Sequence, residues 1–192
     1  MARTSKFSEP IVLASASPRR LELLSDFAQD VTVIPSDVDE SKVKATCART
    51  LVKRLSRLKA LSVASSADVE GKIVIGADTV VYRGKIYGKP RNRADAIRML
   101  TELGGKKHYV FTGVTVVDAG RIRTFAVRST VRFKKLTAEQ IERYVDEHNP
   151  YDKAGAYAIQ ENVVVGSYKG SYTNIVGLPM EKLAKVLGSQ EV

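Results

Sequence analysis

Short runs of apolar residues alternate with amphipathic stretches along the chain, which predicts strands and helices in alternation. The first apolar run covers residues 11–14 and is typical of a short buried strand, and a Ser/Pro turn ends it at Ser15. A helix is predicted directly after this turn, because Ser17 is a suitable N-cap and Pro18 suits the first helical position. The apolar face of this helix is formed by Leu21, Leu24 and Ala28.

Seven further stretches predict strands. The run at residues 72–77 is strongly strand-like and is predicted to end at Asp78. Ligands tend to bind at the C-terminal ends of central strands in α/β folds, which makes Asp78 a candidate site residue. Turn residues at 83–84 and 118–120 predict two antiparallel hairpins. The seven strands are expected at residues 30–35, 72–77, 79–82, 85–87, 108–117, 123–133 and around 163–165.

Four further stretches predict helices. The longest covers residues 41–64, and Cys47 lies on its apolar stripe, so we expect this cysteine in the core. The stripe consists of Val43, Cys47, Leu51, Leu55, Leu58 and Ser62. Thr137 and Gln140 form a predicted capping box. The remaining helices are expected between Asn92 and Gly104, between Thr137 and His148, and after Pro179.

These elements together predict a mixed α/β sheet, because strand–helix units are combined with long antiparallel hairpins. With 192 residues, the chain is long enough to bury a sizeable core, and it fits one domain, residues 1–192, or two closely joined lobes. Its 44% hydrophobic and 27% charged residues are typical of an ordinary globular protein. No repeat or low-complexity linker marks a second domain.

Charge and cysteine content narrow the possible functions. The net charge of +10 favours a polyanionic partner, which leaves nucleic acid, a membrane surface and a nucleoside triphosphate open. One cysteine and two histidines argue against a zinc site, so a metal would need carboxylate ligands, as Mg²⁺ and Mn²⁺ do. The polar N-terminus and the lack of a long apolar run predict a cytoplasmic protein without a membrane span.

Polar and conformationally special residues follow several of the predicted strands. Arg19 and Arg20 occupy the first turn of the first helix, where backbone N–H groups and the helix dipole favour an anion. Other such positions supply cations for phosphates, acids for a metal, and amides or hydroxyls for a base. This inventory suits a nucleotide polyphosphate site, although the Walker pattern and the dinucleotide fingerprint are both absent.

Eight motifs in register resemble the Maf family of nucleotide pyrophosphatases over nearly the whole chain. They are SASPRR at 15–20, DVDES at 37–41, Lys59-Ala60, GADTVV at 76–81, GKP at 88–90, TGV at 112–114, DKAGAYAIQ at 152–160 and GSYTNIVGLP at 170–179. The resemblance implies an elongated mixed sheet with two lobes and a central cleft, similar to the inosine triphosphate pyrophosphatase architecture. It also implies metal-dependent hydrolysis of a nucleoside triphosphate to the monophosphate and pyrophosphate, and a homodimer.

The resemblance implies a role for nine residues. Asp78 would be the proton acceptor and would hold a divalent metal together with Glu40. Thr79 and Gln160 would select the base, and they match the branch that acts on dTTP, UTP and related or modified pyrimidine triphosphates. Glu161 departs from the glycine that commonly follows this glutamine, which we expect to alter the local turn. The residues expected to bind the phosphates are Ser15, Arg19, Arg20, Lys59 and Lys89; Arg19 is also linked to substrate choice.

Two other interpretations stay open. Tyr157 and Tyr168 would stack on a base or pack in the core, and core packing is the favoured use. Maf proteins have also been connected with septum formation. The alternative function is therefore a nucleic-acid-binding or cell-division regulatory protein that uses its basic surface.

Overall fold

The computed structural model describes residues 6–188, and its centre is one mixed β-sheet. The strands are β1 (Ile11–Leu13), β2 (Val31–Val33), β3 (Ile73–Arg83), β4 (Lys85–Tyr87), β5 (Lys107–Asp118), β6 (Arg121–Phe133) and β7 (Val165–Lys169). They follow the order β2-β1-β3-β5-β6-β7, and β4 pairs with β3 at one side of this path. Strands β2, β1 and β3 are parallel, whereas β3, β5, β6 and β7 are antiparallel. The predicted mixed α/β class is confirmed.

Six helices accompany the sheet within the described residues. They are α1 (Pro18–Phe27), α2 (Ala48–Ala64), α3 (Arg93–Leu103), α4 (Ala138–His148), α5 (Tyr172–Val176) and α6 (Met180–Leu187). The predicted N-cap at Asn92 is confirmed, because its side chain accepts the N–H of Asp95. The predicted capping box is confirmed too, because the side chains of Thr137 and Gln140 each accept the backbone N–H of the other residue. Ser17 precedes Pro18 as predicted, but its side chain makes no capping hydrogen bond.

Strand β3 is longer than predicted. It runs unbroken from Ile73 to Arg83, so Asp78 lies in its middle and not at its end. The prediction was wrong because β5 pairs with β3 along almost its entire length, including the pair Asp78 and Gly113. The parallel neighbour β1 pairs only as far as Leu13, opposite Ile75. Asp78 is therefore near the point where β1 leaves the sheet and opens one side of β3.

The predicted helix at 41–64 is two separate elements. The side chain of Asp39 accepts the N–H of Ser41 and caps a 3₁₀ turn at Glu40–Lys42, and this local bond competes with a longer helix. Helix α2 starts only after Cys47, which is extended and exposed, so the expectation of a core cysteine was wrong.

The buried face of α2 also differs from the predicted apolar stripe. Leu55 is buried, whereas Leu58 is 39% exposed. The face against the sheet is rich in small residues and includes one cation. Its members are Ala48, Val52, Leu55, Ser56, Lys59, Ala60 and Val63.

Two glycines of the sheet explain this small-residue face. A Cβ added at Gly76 would lie 2.5 Å from the carbonyl oxygen of Ser56, and one at Gly113 would lie 2.2 Å from that of Val52. Because neither position has room for a side chain, the backbone of α2 lies directly on the backbones of β3 and β5. The close packing places Lys59 beside Asp78.

The C-terminal part of the chain departs from prediction in two places. The last strand is β7 at Val165–Lys169, about two residues later than expected, and helix α5 was not predicted. Tyr168 on β7 is 49% exposed, so its expected place in the core was wrong. Tyr157 is buried in the larger core cluster, as predicted.

His108 and Tyr157 form a polar contact inside this larger core cluster. Nε2 of His108 lies 3.0 Å from the Tyr157 hydroxyl, and the imidazole packs edge-on against Phe133. Its Nδ1 has no hydrogen-bond partner among the described residues. Burial, assisted by the positive charge of Arg83, lowers the pKa of His108 from 6.5 to about 4. The imidazole is consequently neutral in the folded protein at pH 7.

We predict that His108 makes folding depend on pH. Since its pKa is lower in the folded state than in the unfolded state, its contribution is complete above pH 6.5 and is lost as the pH falls towards about 4. The free energy of unfolding should fall by up to about 1.4 kcal/mol per pH unit in this window through this one group. Urea denaturation at several pH values should show the slope in the wild-type chain and a smaller slope in His108→Gln. Equal slopes would contradict the assignment.

Candidate active site

A cleft of about 860 Å³ opens beside the middle of β3, where β1 leaves the sheet. All nine residues predicted for the site line this cleft, although they come from distant parts of the chain. They are Ser15, Arg19, Arg20, Glu40, Lys59, Asp78, Thr79, Lys89 and Gln160. The sheet, α2 and the loops before and after them therefore bring the predicted constellation together in one place.

A buried ion pair lies at the base of the cleft. Nζ of Lys59 donates to Oδ1 of Asp78 at 2.7 Å, and it also lies 2.9 Å from Oε1 of Glu40. The side chains of Lys59 and Asp78 are about nine-tenths buried, whereas that of Glu40 is half exposed. Lys59 thus faces the sheet, unlike the exposed cations elsewhere on α2, and it links the two predicted metal ligands.

The second oxygen of Asp78 has no protein partner. Oδ2 is buried and accepts no hydrogen bond within the described part of the chain. A buried carboxylate oxygen left without a donor is costly, at about 1–3 kcal/mol, unless a water, a cation or a ligand satisfies it. Asp78 lines the cleft, so a group that enters the cleft approaches this carboxylate.

Arg20 lines the cleft but is only 9% exposed, and its guanidinium is bonded within the protein. Its guanidinium donates to the carbonyl oxygens of Gly177 and Ala77 at 2.9 Å each. It also donates to the hydroxyls of Ser15 and Thr79 at 3.0 Å each. Four of its five N–H groups are therefore engaged. Burial lowers the pKa of Arg20, while the negative charge of Asp78 acts in the opposite direction.

The hydroxyl of Thr79 is likewise engaged inside the protein. It accepts a hydrogen bond from Arg20 and lies 3.0 Å from the hydroxyl of Thr112, which itself donates to the carbonyl oxygen of Asn174 at 2.8 Å. These bonds orient Thr79, and they connect the strand that carries Asp78 with α5.

Arg19 is more accessible than its neighbour. It makes one ion pair, from Nη1 to Oδ2 of Asp152 at 2.8 Å, and its side chain is 24% exposed. Asp152 also accepts from Lys153 at 2.9 Å. Although burial acts to raise it, the hydrogen bonds from Lys153 and Arg19 lower the pKa of Asp152. The two adjacent arginines thus have different surroundings: one is enclosed, and the other is at the cleft surface.

Lys89 and Gln160 occupy exposed positions on loops that border the cleft. The carbonyl oxygen of Gly88 accepts the N–H of Gly155 at 2.9 Å, which ties the loop of Lys89 to the segment that leads to Gln160. Gln160 belongs to a 3₁₀ turn at Ile159–Glu161. The left-handed φ of this region, 55°, falls on Asn162 and not on Glu161, so Glu161 causes no backbone strain here.

Sequence reasoning missed several contributors to the site. Asp152 and Gly177 lie inside the DKAGAYAIQ and GSYTNIVGLP motifs. The sequence does not indicate that they contact Arg19 and Arg20, because these arginines are more than 130 residues away in the chain. Thr112 was part of the TGV motif without an assigned role. Tyr144 lies on a helix that carried no site motif at all, and only the folded structure places it near Gln160.

A family model described as Maf-like protein matches residues 10–190. The chain is a member of the Maf family. A relative from Desulforamulus reducens is 48% identical over 184 residues, covering 93% of this chain and 95% of the relative. A second, from Thermosipho africanus, is 45% identical over 180 residues, covering 92% of this chain and 91% of the relative. Both relatives bear the name dTTP/UTP pyrophosphatase.

Solved structures similar to this Maf protein show a more distant likeness. A nucleoside-triphosphatase, or dITP/XTP pyrophosphatase, from Mycobacterium abscessus is 13% identical with a TM-score of 0.41, covering 66% of this chain and 73% of that one. The Ham1 protein of Staphylococcus aureus is 17% identical with the same TM-score of 0.41, covering 68% and 73%. Likeness at this level does not bear on the activity.

Two features are absent from residues 6–188. No helix in this range is long and apolar enough to cross a membrane. No group of three or more histidine, cysteine, aspartate or glutamate side chains there is placed to hold a metal ion. A cation in the cleft would consequently take some ligands from water or from a bound substrate, as Mg²⁺ commonly does beside phosphates.

The contrast between the two arginines predicts different effects of the same substitution. Arg20→Lys should lower the free energy of unfolding by about 2–4 kcal/mol, because one ammonium does not replace the planar fork and leaves buried acceptors unpaired. Arg19→Lys should change it by less than about 1 kcal/mol, since its ion pair is partly exposed. Urea denaturation of both variants compares them directly. Equal losses would contradict a structural role particular to Arg20.

Proposed function

We propose that this Maf protein hydrolyses nucleoside triphosphates to the monophosphate and pyrophosphate, with dTTP, UTP and related or modified pyrimidine triphosphates as substrates. The observation that carries the proposal is the unpartnered Oδ2 of Asp78 beside cations in one cleft. The names of relatives at 41–48% identity supply the substrate class. Their alignments cover most of both chains, which supports the transfer of the activity.

The cleft suits the charge of a triphosphate. Arg19 and Lys89 are accessible cations on two of its borders, and Lys59 adds positive charge near Asp78. Ser15 accepts a hydrogen bond from Arg20 and keeps its own hydroxyl proton for a phosphate oxygen. Arg20 supports this binding surface from beneath and is not itself proposed as a main phosphate ligand, in contrast to the expectation from the sequence.

Asp78 and Glu40 are suitable ligands for a divalent cation, Mg²⁺ or Mn²⁺. Both residues line the cleft, and Oδ2 of Asp78 lacks a partner within residues 6–188. When bound, such an ion neutralises phosphate charge and lowers the pKa of a coordinated water. Lys59, which contacts both carboxylates, holds them near each other and limits their mutual repulsion.

Asp78 has the geometry of a proton acceptor. Its Oδ1 is fixed by Lys59, so the carboxylate is oriented. Oδ2 has two lone pairs, of which one would bind the cation and the other would take a proton from an attacking water. The water attacks the α-phosphorus, its oxygen forms a new P–O bond, and the bond between the α-phosphorus and the bridging oxygen to the β-phosphate breaks. Pyrophosphate leaves with the electron pair of that bond, and the nearby cations stabilise the developing charge.

Gln160 is the proposed base-selecting residue, because an amide offers one donor group and one acceptor to the edge of a uracil or thymine. It borders the cleft and is exposed, so its side chain is accessible to a substrate. Thr79 contributes indirectly, since its hydroxyl is already bonded to Arg20 and Thr112.

The homodimer and the cytoplasmic location stay predictions. The alternative, a nucleic-acid-binding or septum-regulating protein, is not what we propose, because the predicted site residues converge on one cleft and not on an extended surface.

We predict that Asp78→Asn lowers kcat for UTP by at least about 100-fold, because an amide does not accept the proton of the attacking water. KM should change far less, since Arg19 and Lys89 keep their contacts with the phosphates. The assay is pyrophosphate release in the presence of Mg²⁺. Asp118→Asn removes a carboxylate from an ion pair on β5 that does not line the cleft, and this control should keep the wild-type rate. Undiminished kcat in Asp78→Asn would refute the proposed role.

A further inference from the structure

The turn that carries Gln160 is anchored from outside the cleft by one tyrosine. The hydroxyl of Tyr144, on α4, accepts the N–H of Ala158 at 3.2 Å, just before the 3₁₀ turn Ile159–Glu161. The same hydroxyl donates to the carboxylate of Glu161 at the other end of the turn. Tyr144 itself is 2% exposed, so its position is set by core packing. One hydroxyl therefore holds both sides of Gln160.

The carboxylate of Glu161 has further partners. Its Oε1 lies 3.8 Å from Nζ of Lys153 and 3.8 Å from Nδ1 of His148. The side chains of Glu161 and Lys153 are only 18% and 12% exposed, so their charges are poorly screened by water. Burial raises the pKa of Tyr144, and the hydrogen bond to Glu161 raises it further, so the hydroxyl keeps its proton at neutral pH.

Lys153 also connects this anchor with the phosphate side of the cleft. Its Nζ donates to Oδ1 of Asp152 at 2.9 Å, and Oδ2 of Asp152 accepts from Arg19 at 2.8 Å. A continuous series of polar contacts thus runs from Arg19 through Asp152 and Lys153 to Glu161. It connects the proposed triphosphate site with the proposed base site.

We propose that Tyr144 and Glu161 are positioning residues that fix the turn bearing Gln160 and thereby set the selection of the base. The inference rests on the proposed function of Gln160 in recognising a pyrimidine. Neither side chain of the pair needs to touch the substrate, because both act through the backbone of the turn.

The need for such an anchor follows from the exposure of Gln160. Within the described residues its side chain makes no hydrogen bond, and the turn itself is only three residues long. A polar side chain discriminates between bases only when it is held within about 0.5 Å of the productive geometry. The buried Ile159 fixes the middle of the turn, and Tyr144 with Glu161 fixes its two sides.

The first test compares Tyr144→Phe and Glu161→Ala with wild type, using UTP and GTP as substrates. Both variants should raise KM for UTP about 10-fold and change kcat by less than about twofold, since the catalytic Asp78 is untouched. The parameters for GTP should stay within about twofold, so the preference for UTP falls. Glu161→Gln keeps an acceptor for Tyr144 and should recover most of the preference.

Glu147→Gln is the matched control. Glu147 is an exposed glutamate on α4, and it makes no ion pair or side-chain hydrogen bond among residues 6–188, so the substitution should leave both substrates unaffected. An unchanged UTP preference in Tyr144→Phe and Glu161→Ala would overturn the inference. An equal loss for UTP and GTP would also overturn it, because the effect would then concern the whole site and not the base.

The second test measures binding without hydrolysis, in the Asp78→Asn background. Isothermal titration calorimetry with UTP and with GTP should show the ratio of the two affinities falling about 10-fold when Glu161→Ala is added. If the wild-type chain releases no pyrophosphate but this ratio falls, the proposed activity fails and the positioning role stands. If pyrophosphate is released but the ratio is constant, the positioning role fails and the activity stands.

Discussion

The close contact between helix α2 and the backbones of β3 and β5 is the constraint on which the site depends. Gly76 and Gly113 leave no room for side chains at the crossing, so the helix lies directly on the sheet. Lys59 comes from this buried helix face and reaches Asp78 at 2.7 Å. A wider separation would leave two buried charges without partners, which is strongly unfavourable. The glycines of the GADTVV and TGV motifs therefore serve the chemistry indirectly, through packing.

Arg20 is the second organising group. Its single guanidinium connects the loop after β1, the two residues that flank Asp78 on β3, and Gly177 after α5. Three motifs that resemble the Maf family are joined by this one side chain, and Thr112 adds a fourth through Thr79. The proposed catalytic carboxylate is consequently held by a rigid frame, and the accessible cations, Arg19 and Lys89, are left for the phosphates. Preorganisation of this kind is what electrostatic stabilisation of a transition state requires.

Much of the fold was predictable from sequence, because the features concerned are local. Helix caps at Asn92 and Thr137, the hairpin of β5 and β6, and the mixed sheet follow from short-range patterns. The convergence of nine residues on one cleft followed from the family resemblance. The start and the buried face of α2 were not predictable from hydrophobic periodicity. Periodicity favours large apolar residues at an interface, whereas this interface uses small residues together with Lys59.

The remaining failures concern long-range contacts. The role of Arg20 depends on partners as distant as Gly177, and the anchor of Gln160 depends on a tyrosine from α4. No spacing rule along the chain relates such residues to each other. Glu161 shows the same point: its sequence context suggested an altered turn, whereas its carboxylate is engaged by Tyr144 and lies near Lys153.

The central claim is that water attacks the α-phosphorus of a pyrimidine triphosphate in this cleft. Hydrolysis of UTP in water enriched in ¹⁸O, followed by mass spectrometry of the products, tests it most directly. The account predicts that the label appears in UMP and that the pyrophosphate is unlabelled, because the P–O bond broken is the one at the α-phosphorus. Label in pyrophosphate, or release of UDP and inorganic phosphate, would contradict the account.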